Sequence, residues 1–117
     1  MLQRTPGANV RVFAVWEPIL ATDWQRPGGA ATGRIPDSRA LQFWDRPHLL
    51  AQRLATDARD PQPQQHCCLR DGFLWDLAAV YPPGVRWTDH LPPAVFFDGP
   101  VAQVKDALTE TLSRAAR

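Results

Sequence analysis

The first strongly apolar segment of the chain, residues 10–17, predicts a β-strand, because β-branched and aromatic residues dominate it. Alternate side chains of a strand point to opposite faces. Here both faces are apolar, with Val10, Val12, Ala14 and Trp16 on one and Phe13 and Val15 on the other. This pattern is typical of an inner strand that is covered on both sides, as in α/β sheets.

The next residues, 18–36, contain several Pro and Gly and show no periodicity, which predicts a long connection. Asp37 can then cap a short helix that carries Ala40, Leu41 and Trp44 on one side. Pro47 cannot lie in a helix interior, so we expect a second helix capped by Asp45 and running to about residue 58. Its buried stripe would be Leu50, Ala51, Leu54, Ala55 and Ala58.

In the second half of the chain, a polar loop over 59–72 ends in an Arg-Asp-Gly turn at 70–72. Residues 73–81 predict a second strand, and the Pro-Pro-Gly turn at 82–84 leads into a short third strand at 85–88, forming a hairpin. Residues 94–97 fit either a fourth strand or an apolar loop that plugs the core. The chain ends in an amphipathic helix that follows Asp98 or Gly99 as cap, with Pro100 in its first turn. Its apolar positions are Val101, Val104, Leu108, Leu112 and Ala115.

The predicted order of elements, β-α-β-β-α, indicates an α/β fold. A strand–helix–strand unit favours a right-handed parallel crossover, to which a hairpin adds an antiparallel edge and a last helix adds a cover. We therefore expect a shortened three-layer α/β/α sandwich in one domain spanning 1–117. Residues 1–9 would be a flexible N-terminus, and 18–36 and 59–72 would be loops.

The composition narrows the function classes. A chain of 117 residues fits one domain, and a formal charge of +1 argues against a general nucleic-acid or membrane-surface binder. No stretch approaches the roughly 18 apolar residues of a membrane span. The N-terminus lacks the apolar core of a signal peptide, so we expect a cytoplasmic protein in which a structural disulfide is disfavoured.

The only thiols, Cys67 and Cys68, follow His66 directly. Two thiolates and an imidazole could bind a soft metal such as Zn, Cu(I) or Hg, although a closed zinc site needs about four ligands and no second Cys pair is present. The alternative is that both Cys act as small apolar residues entering a strand. A disulfide between the two neighbours is sterically demanding and ranks lowest.

Three acids are predicted to lie at, or just beyond, the carboxyl ends of strands: Glu17, Asp23 and Asp76. In open α/β sheets this edge binds ligands. The alternative is a structural network in which a partly buried Asp76 pairs with an arginine. The candidate partners are Arg11, Arg39 and Arg86.

The remaining candidates point to packing more than to chemistry. His48 and His90 each have an aspartate nearby in sequence, Asp45 and Asp89, but no third element of a catalytic triad. The five Trp are expected to fill the core. The glycines of 28–33 lack the Lys and Ser/Thr of a phosphate loop, and no cofactor is expected.

Residues 77–85, Leu-Ala-Ala-Val-Tyr-Pro-Pro-Gly-Val, resemble the strand, aromatic residue, tight turn and return strand of thioredoxins. Segments 15–24, 42–45 and 75–81 also resemble a group of bacterial thioredoxin-like proteins of unknown function. The resemblance implies a thioredoxin-like fold. The first strand–helix unit, its Cys-x-x-Cys and the proline that faces it have no counterpart here, so the usual dithiol activity is not implied.

Loss of that unit would leave one edge of the first strand without a neighbour, and an open edge is a template for pairing. We therefore predict a thioredoxin-like module that forms a homodimer or binds another protein through this edge. The alternative is a small redox or soft-metal protein that uses His66, Cys67 and Cys68. An enzyme centred on Glu17, Asp23 and Asp76 is a third, more distant reading.

Overall fold

The computed structural model describes residues 2–18, 25–58, 62–63, 65 and 67–115. It is a mixed α/β structure, which confirms the broad fold class predicted from the sequence. A 3₁₀ turn at Leu2–Arg4 precedes the other elements. These are β1 (Val12–Trp16), α1 (Gly29–Thr32), β2 (Ala40–Trp44), α2 (Leu49–Thr56), β3 (Leu69–Arg70), β4 (Phe73–Leu74), β5 (Ala78–Val80), β6 (Phe96–Asp98) and α3 (Val101–Ala115).

The predicted first strand is confirmed as β1, but the strand that pairs with it was not predicted. Residues 40–44, predicted as a helix, form β2, which pairs in parallel with β1 from Val12–Ala40 to Trp16–Trp44. The helix prediction was wrong because burial alternates along the segment: Leu41 and Phe43 are exposed, and Gln42 between them is partly buried. Asp37 caps no helix; its Oδ1 accepts from the backbone N–H and Nε of Arg39.

The helix predicted to follow Asp45 is confirmed as α2, although it is shorter than expected. The N-cap residue is His48 and not Asp45 as predicted, but the two carboxylate oxygens of Asp45 accept the N–H groups of Leu49 and Leu50, each at 2.9 Å. This satisfies two of the amides that a helix N-terminus leaves without partners. Ala51 is buried, and Leu54 packs against the core.

The segment 73–81, predicted as one strand, is divided into β4 and β5 at Asp76, whose φ is +50°. β4 pairs antiparallel with β3, which lies inside the range predicted as a loop. The turn predicted at 70–72 is confirmed, with positive φ at both Asp71 (51°) and Gly72 (82°). Those are the dihedrals that a two-residue type I′ hairpin needs.

The partner of β5 is β6, with Ala79 opposite Phe97. Of the two readings left open for residues 94–97, the strand is therefore the observed one. The third strand predicted at 85–88 was wrong, because Trp87 is 49% exposed in an irregular segment. Pairing with β6 instead buries Phe97 almost completely, at 2% exposure, and so removes more apolar surface from water.

The core centres on Leu74, Ala94 and Phe97, packed by Leu54, Ala55, Ala58, Leu77, Ala79 and Tyr81. α3 adds the buried Leu108 and Leu112. The prediction that Trp residues fill the core was wrong for the most part: Trp16, Trp44 and Trp75 are only partly buried, and Trp24 lies outside the described residues. The centre is filled instead by one Phe and one Leu.

The N-terminal segment, expected to be flexible over 1–9, is held against the body in its described part. Leu2, Thr5 and Ala8 are buried. The guanidinium of Arg39 donates to the carbonyl oxygens of all three, at 3.0, 2.8 and 3.1 Å. Asp37 accepts from the same guanidinium at 2.7 and 2.9 Å and thereby fixes its orientation.

Candidate functional site

The carboxyl ends of β1 and β2 bring two acids to one edge of the sheet. Glu17 follows β1 and Asp45 follows β2, and the parallel pairing of the two strands makes both end on the same side. Glu17 therefore lies at the carboxyl edge of the sheet, as predicted. Open α/β sheets bind ligands at this edge. Asp23, predicted for the same edge, lies outside the described residues.

His48 also lies at this edge, a position that the sequence did not predict. Its Nδ1 lies 3.2 Å from Oε2 of Glu17, and both side chains are mostly buried, with 17% and 13% exposed. The imidazole stacks on Phe73 of β4, with ring centroids 4.2 Å apart and an angle of 23° between the rings. The sequence carries little signal for this pair, because Glu17 and His48 meet only through the pairing of β1 with β2. Residues 40–44 were predicted as a helix, so that pairing was not expected.

Burial raises the pKa of the Glu17 carboxyl above its usual 4.5, and the negative charge of Asp45 acts in the same direction. The hydrogen bond and the charge of His48 oppose the shift without cancelling it. Perturbed carboxyls of this kind collect at functional sites, although structural networks produce them too. The other imidazole nitrogen, Nε2, has no hydrogen-bond partner among the described residues.

Asp76 lies between β4 and β5 and contacts the start of α3. It is exposed, contrary to the expectation of partial burial, and its Oδ1 accepts the N–H of Val101 at 3.2 Å, at the start of α3. Among the described residues it forms no ion pair with an arginine. Asp98, one of the predicted caps, accepts the N–H of Gly99.

Cys67 and Cys68 are joined as a disulfide between neighbours, the arrangement that the sequence ranked lowest. Cys68 is buried with φ +84°, and its carbonyl accepts the N–H of Trp75 at 2.9 Å. His66 lies outside the described residues, so the predicted three-ligand site is not seen as a unit. Within the described ranges, no group of three or more His, Cys, Asp or Glu is placed to hold a metal ion.

The outer face of the β1–β2 sheet is apolar and exposed. Phe13, Leu41 and Phe43 are 58%, 50% and 49% exposed, and the two Phe rings lie 6.2 Å apart. The sequence predicted that both faces of the first strand would be covered, and for this face the prediction was wrong. We call the surface formed by Phe13, Val15, Leu41 and Phe43 the outer face.

Two open depressions, of about 360 and 440 Å³, flank Arg39 at the opposite end of the sheet from Glu17. The guanidinium between them is already engaged with Asp37 and three carbonyl oxygens. Arg39 is therefore not free to bind a ligand, whereas Arg11, which also lines the second depression, is exposed.

No family model, curated protein or solved structure matches this chain. In the part of the chain that the structure describes, no helix has the length and apolarity that a membrane span requires. The outer face, the cysteine pair and the Glu17–His48 pair are therefore the candidate functional features of the described residues.

Proposed function

We propose that this chain is a self-associating module of thioredoxin-like architecture, without dithiol oxidoreductase activity of the Cys-x-x-Cys type. The exposed outer face of the β1–β2 sheet carries the proposal. Support for the architecture comes from the parallel β1–β2 pair, the later antiparallel β5–β6 pair and the closing helix α3. In this architecture β6, and not residues 85–88, is the return strand that the resemblance to thioredoxins implies.

The outer face has the properties of an interface centre. Parallel sheets are normally covered on both faces, and large apolar side chains exposed together mark binding sites. All four of its side chains, Phe13, Val15, Leu41 and Phe43, are uncharged. A two-fold interface places the same patch opposite itself, so an uncharged aromatic patch packs without like-charge repulsion.

The occupant we propose is a second copy of this chain. A stable interface buries about 800 Å² per partner, more than four side chains supply. The free edges of the sheet can provide the remainder, because among the described residues β1 and β2 each pair with one strand only. Unpaired backbone N–H and C=O groups at such edges are templates for further pairing.

Sedimentation at tens of micromolar tests this proposal. Wild type is expected to sediment as two 13.1 kDa chains. Phe43→Thr, which keeps a strand-compatible residue, should weaken association about tenfold, equivalent to about 1.4 kcal/mol. The matched control is Leu69→Thr, which alters a 57% exposed residue of another sheet and should leave association unchanged.

A monomeric wild type would overturn the proposal, as would equal weakening by Leu69→Thr and Phe43→Thr. Far-UV circular dichroism must show the same fold in all three proteins. Heteronuclear NMR shifts confined to the outer face on dilution would locate the interface directly.

A second candidate function, a small redox protein, is favoured by one observation: the adjacent cysteines are joined. A disulfide offers no thiolate to a metal, so it favours the redox form of this alternative over the soft-metal form. The reaction would be exchange with a small thiol. Two RSH reduce the Cys67–Cys68 bond to two thiols and leave as RSSR, so two electrons and two protons are transferred.

Thiol titration in denaturant tests this second candidate. We expect no reactive thiols in the purified protein and two after treatment with excess dithiothreitol. Two thiols that react freely without reductant would rule out the redox candidate. If, in addition, neither Zn nor Hg protects them in the folded protein, the soft-metal form fails as well.

A further inference from the structure

We propose that Glu17 and His48 form an acid–base pair in which Nε2 of His48 accepts a proton from water to hydrolyse small activated esters. The pair lies at the carboxyl edge of the β1–β2 sheet. The proposal goes beyond self-association, because the residues at this edge are not part of the outer face.

The geometry of the pair carries the proposal. Glu17 Oε2 lies 3.2 Å from His48 Nδ1, which makes the carboxylate the natural acceptor for an Nδ1–H proton. That tautomer leaves the lone pair on Nε2, the nitrogen that has no partner among the described residues. Phe73 stacks on the ring and holds its plane. A base oriented by a carboxylate is the arrangement that general-base catalysis requires.

The backbone supports the same reading. His48 has φ +57° and ψ +33°, in the left-handed region that side-chain-bearing residues rarely adopt. The next two backbone N–H groups are fixed by the Asp45 carboxylate, so the conformation is held in place from both sides of His48. Strained backbone of this kind clusters at sites where a side chain must be aimed.

The proposed step balances without a cofactor. Nε2 takes a proton from water while the water oxygen attacks the ester carbonyl carbon, and the bond to the alcohol or phenol leaving group then breaks. The imidazolium, stabilised by Glu17, returns its proton to solvent. The Glu17 carboxylate lies against the ring, and the charge of Asp45 acts on Glu17 from the end of β2, whereas the ring's neighbour from β4, Phe73, is uncharged. The edge therefore favours neutral or cationic esters over anionic ones.

Hydrolysis of 4-nitrophenyl acetate by the full chain is the test. His48→Gln should reduce the protein-dependent rate by about 100-fold, the usual scale of general-base catalysis. His90→Gln is the matched control. Its imidazole is 81% exposed with its Nδ1 3.9 Å from a carboxylate oxygen of Asp57, and this variant should keep the wild-type rate.

Glu17 acts through His48 and is therefore a positioning residue. In Glu17→Gln the Nδ1–H proton of His48 loses its carboxylate acceptor, so kcat should fall with KM unchanged, and Glu17→Asp should recover part of the rate. A fall in kcat that Glu17→Asp does not recover would show a structural role only and would overturn the assignment of Glu17.

Equal rates for wild type and His48→Gln would overturn the whole proposal. A measurement that needs no variant covers the case in which His48→Gln fails to fold. Diethyl pyrocarbonate should acylate His48 in the wild-type protein and abolish hydrolysis in proportion, as mapped by mass spectrometry. Full modification of His48 with hydrolysis retained would contradict it. Since the outer face is untouched, sedimentation of the same samples reports on self-association separately.

Discussion

The side chain of Arg39 attaches the N-terminal segment to the start of the β1–β2 sheet. Arg39 uses its planar fork to bind Asp37 on one side and three backbone carbonyls of the N-terminal segment on the other. Its hydrogen bonds hold the pKa of Asp37 at about 2, well below the usual 3.8. This contribution to stability is therefore fully present above pH 3.8 and is lost as the pH falls through about 2.

Arg39→Lys is expected to release the N-terminal segment while keeping the charge, because an ammonium cannot donate in the guanidinium's fixed fork geometry. The amides of Ala8 and Val10, which are hydrogen-bonded within the segment, should exchange with solvent at least about tenfold faster, the factor that corresponds to 1.4 kcal/mol of local stability. Hydrogen exchange followed by NMR measures this. Arg86→Lys, at an exposed position, is the control, and identical exchange in both variants would contradict the role given to Arg39.

The raised pKa of Glu17 predicts that stability changes with pH in the opposite direction. Its folded-state pKa is raised above 4.5, so the folded protein retains this proton longer than the unfolded chain does. The free energy of unfolding of wild type should therefore fall, relative to Glu17→Gln, as the pH rises from 4.5 through the raised pKa, and then level off. Urea unfolding at several pH values measures the difference. Glu110→Gln, which removes an exposed carboxyl instead, is the control variant.

At the scale of elements, the sequence predicted what local chemistry decides. The Asp-Gly turn and the spacing of α3 are local signals, and both predictions were confirmed. The start of α2 was predicted in part: Asp45 accepts its first amides, but the N-cap residue is His48. The strand β2 was missed, because Leu41 and Trp44 suit a helix face as well as a strand. Pairing with β1, about 28 residues earlier in the chain, decides between the two.

The cap gives a prediction for α2. Asp45→Ala removes the acceptor for two backbone N–H groups and should lower the free energy of unfolding by about 1 kcal/mol. Chemical denaturation measures it. Asp89→Ala, at an exposed aspartate, should stay within about 0.5 kcal/mol of wild type. Equal losses in the two variants would show that the Asp45 bonds contribute nothing to α2.

At the scale of the whole molecule, the core is closed by β6 and not by residues 85–88, which contain Trp87. Phe97→Ala should therefore cost about 3–5 kcal/mol, because it opens a cavity beside Leu74. Trp87→Ala removes a larger but half-exposed side chain and should cost much less. Thermal and urea unfolding of both variants compare the two. A larger loss for Trp87→Ala would restore the hairpin between residues 73–81 and 85–88 that the sequence predicted.

The candidate site shows the same division between local and long-range information. Glu17 was predicted at the carboxyl edge of a strand, where the structure has it, because a strand end is readable from composition. His48 was not linked to it, since 31 positions separate the two residues and no periodic pattern spans them. The exposure of the outer face was missed because an apolar alternation reads the same whether or not another element covers it.

By itself, the sequence determined the mixed α/β class, the first strand, the capped helix α2, the Asp-Gly turn and the closing helix α3. These depend on dihedral preferences, capping and periodicity, which act within a few residues. Only the tertiary structure decided that β2 pairs with β1, that β6 pairs with β5, and that Glu17 meets His48. Each of these choices depends on which distant segment buries more apolar surface and satisfies more backbone hydrogen bonds, and that comparison exists only once the chain is folded.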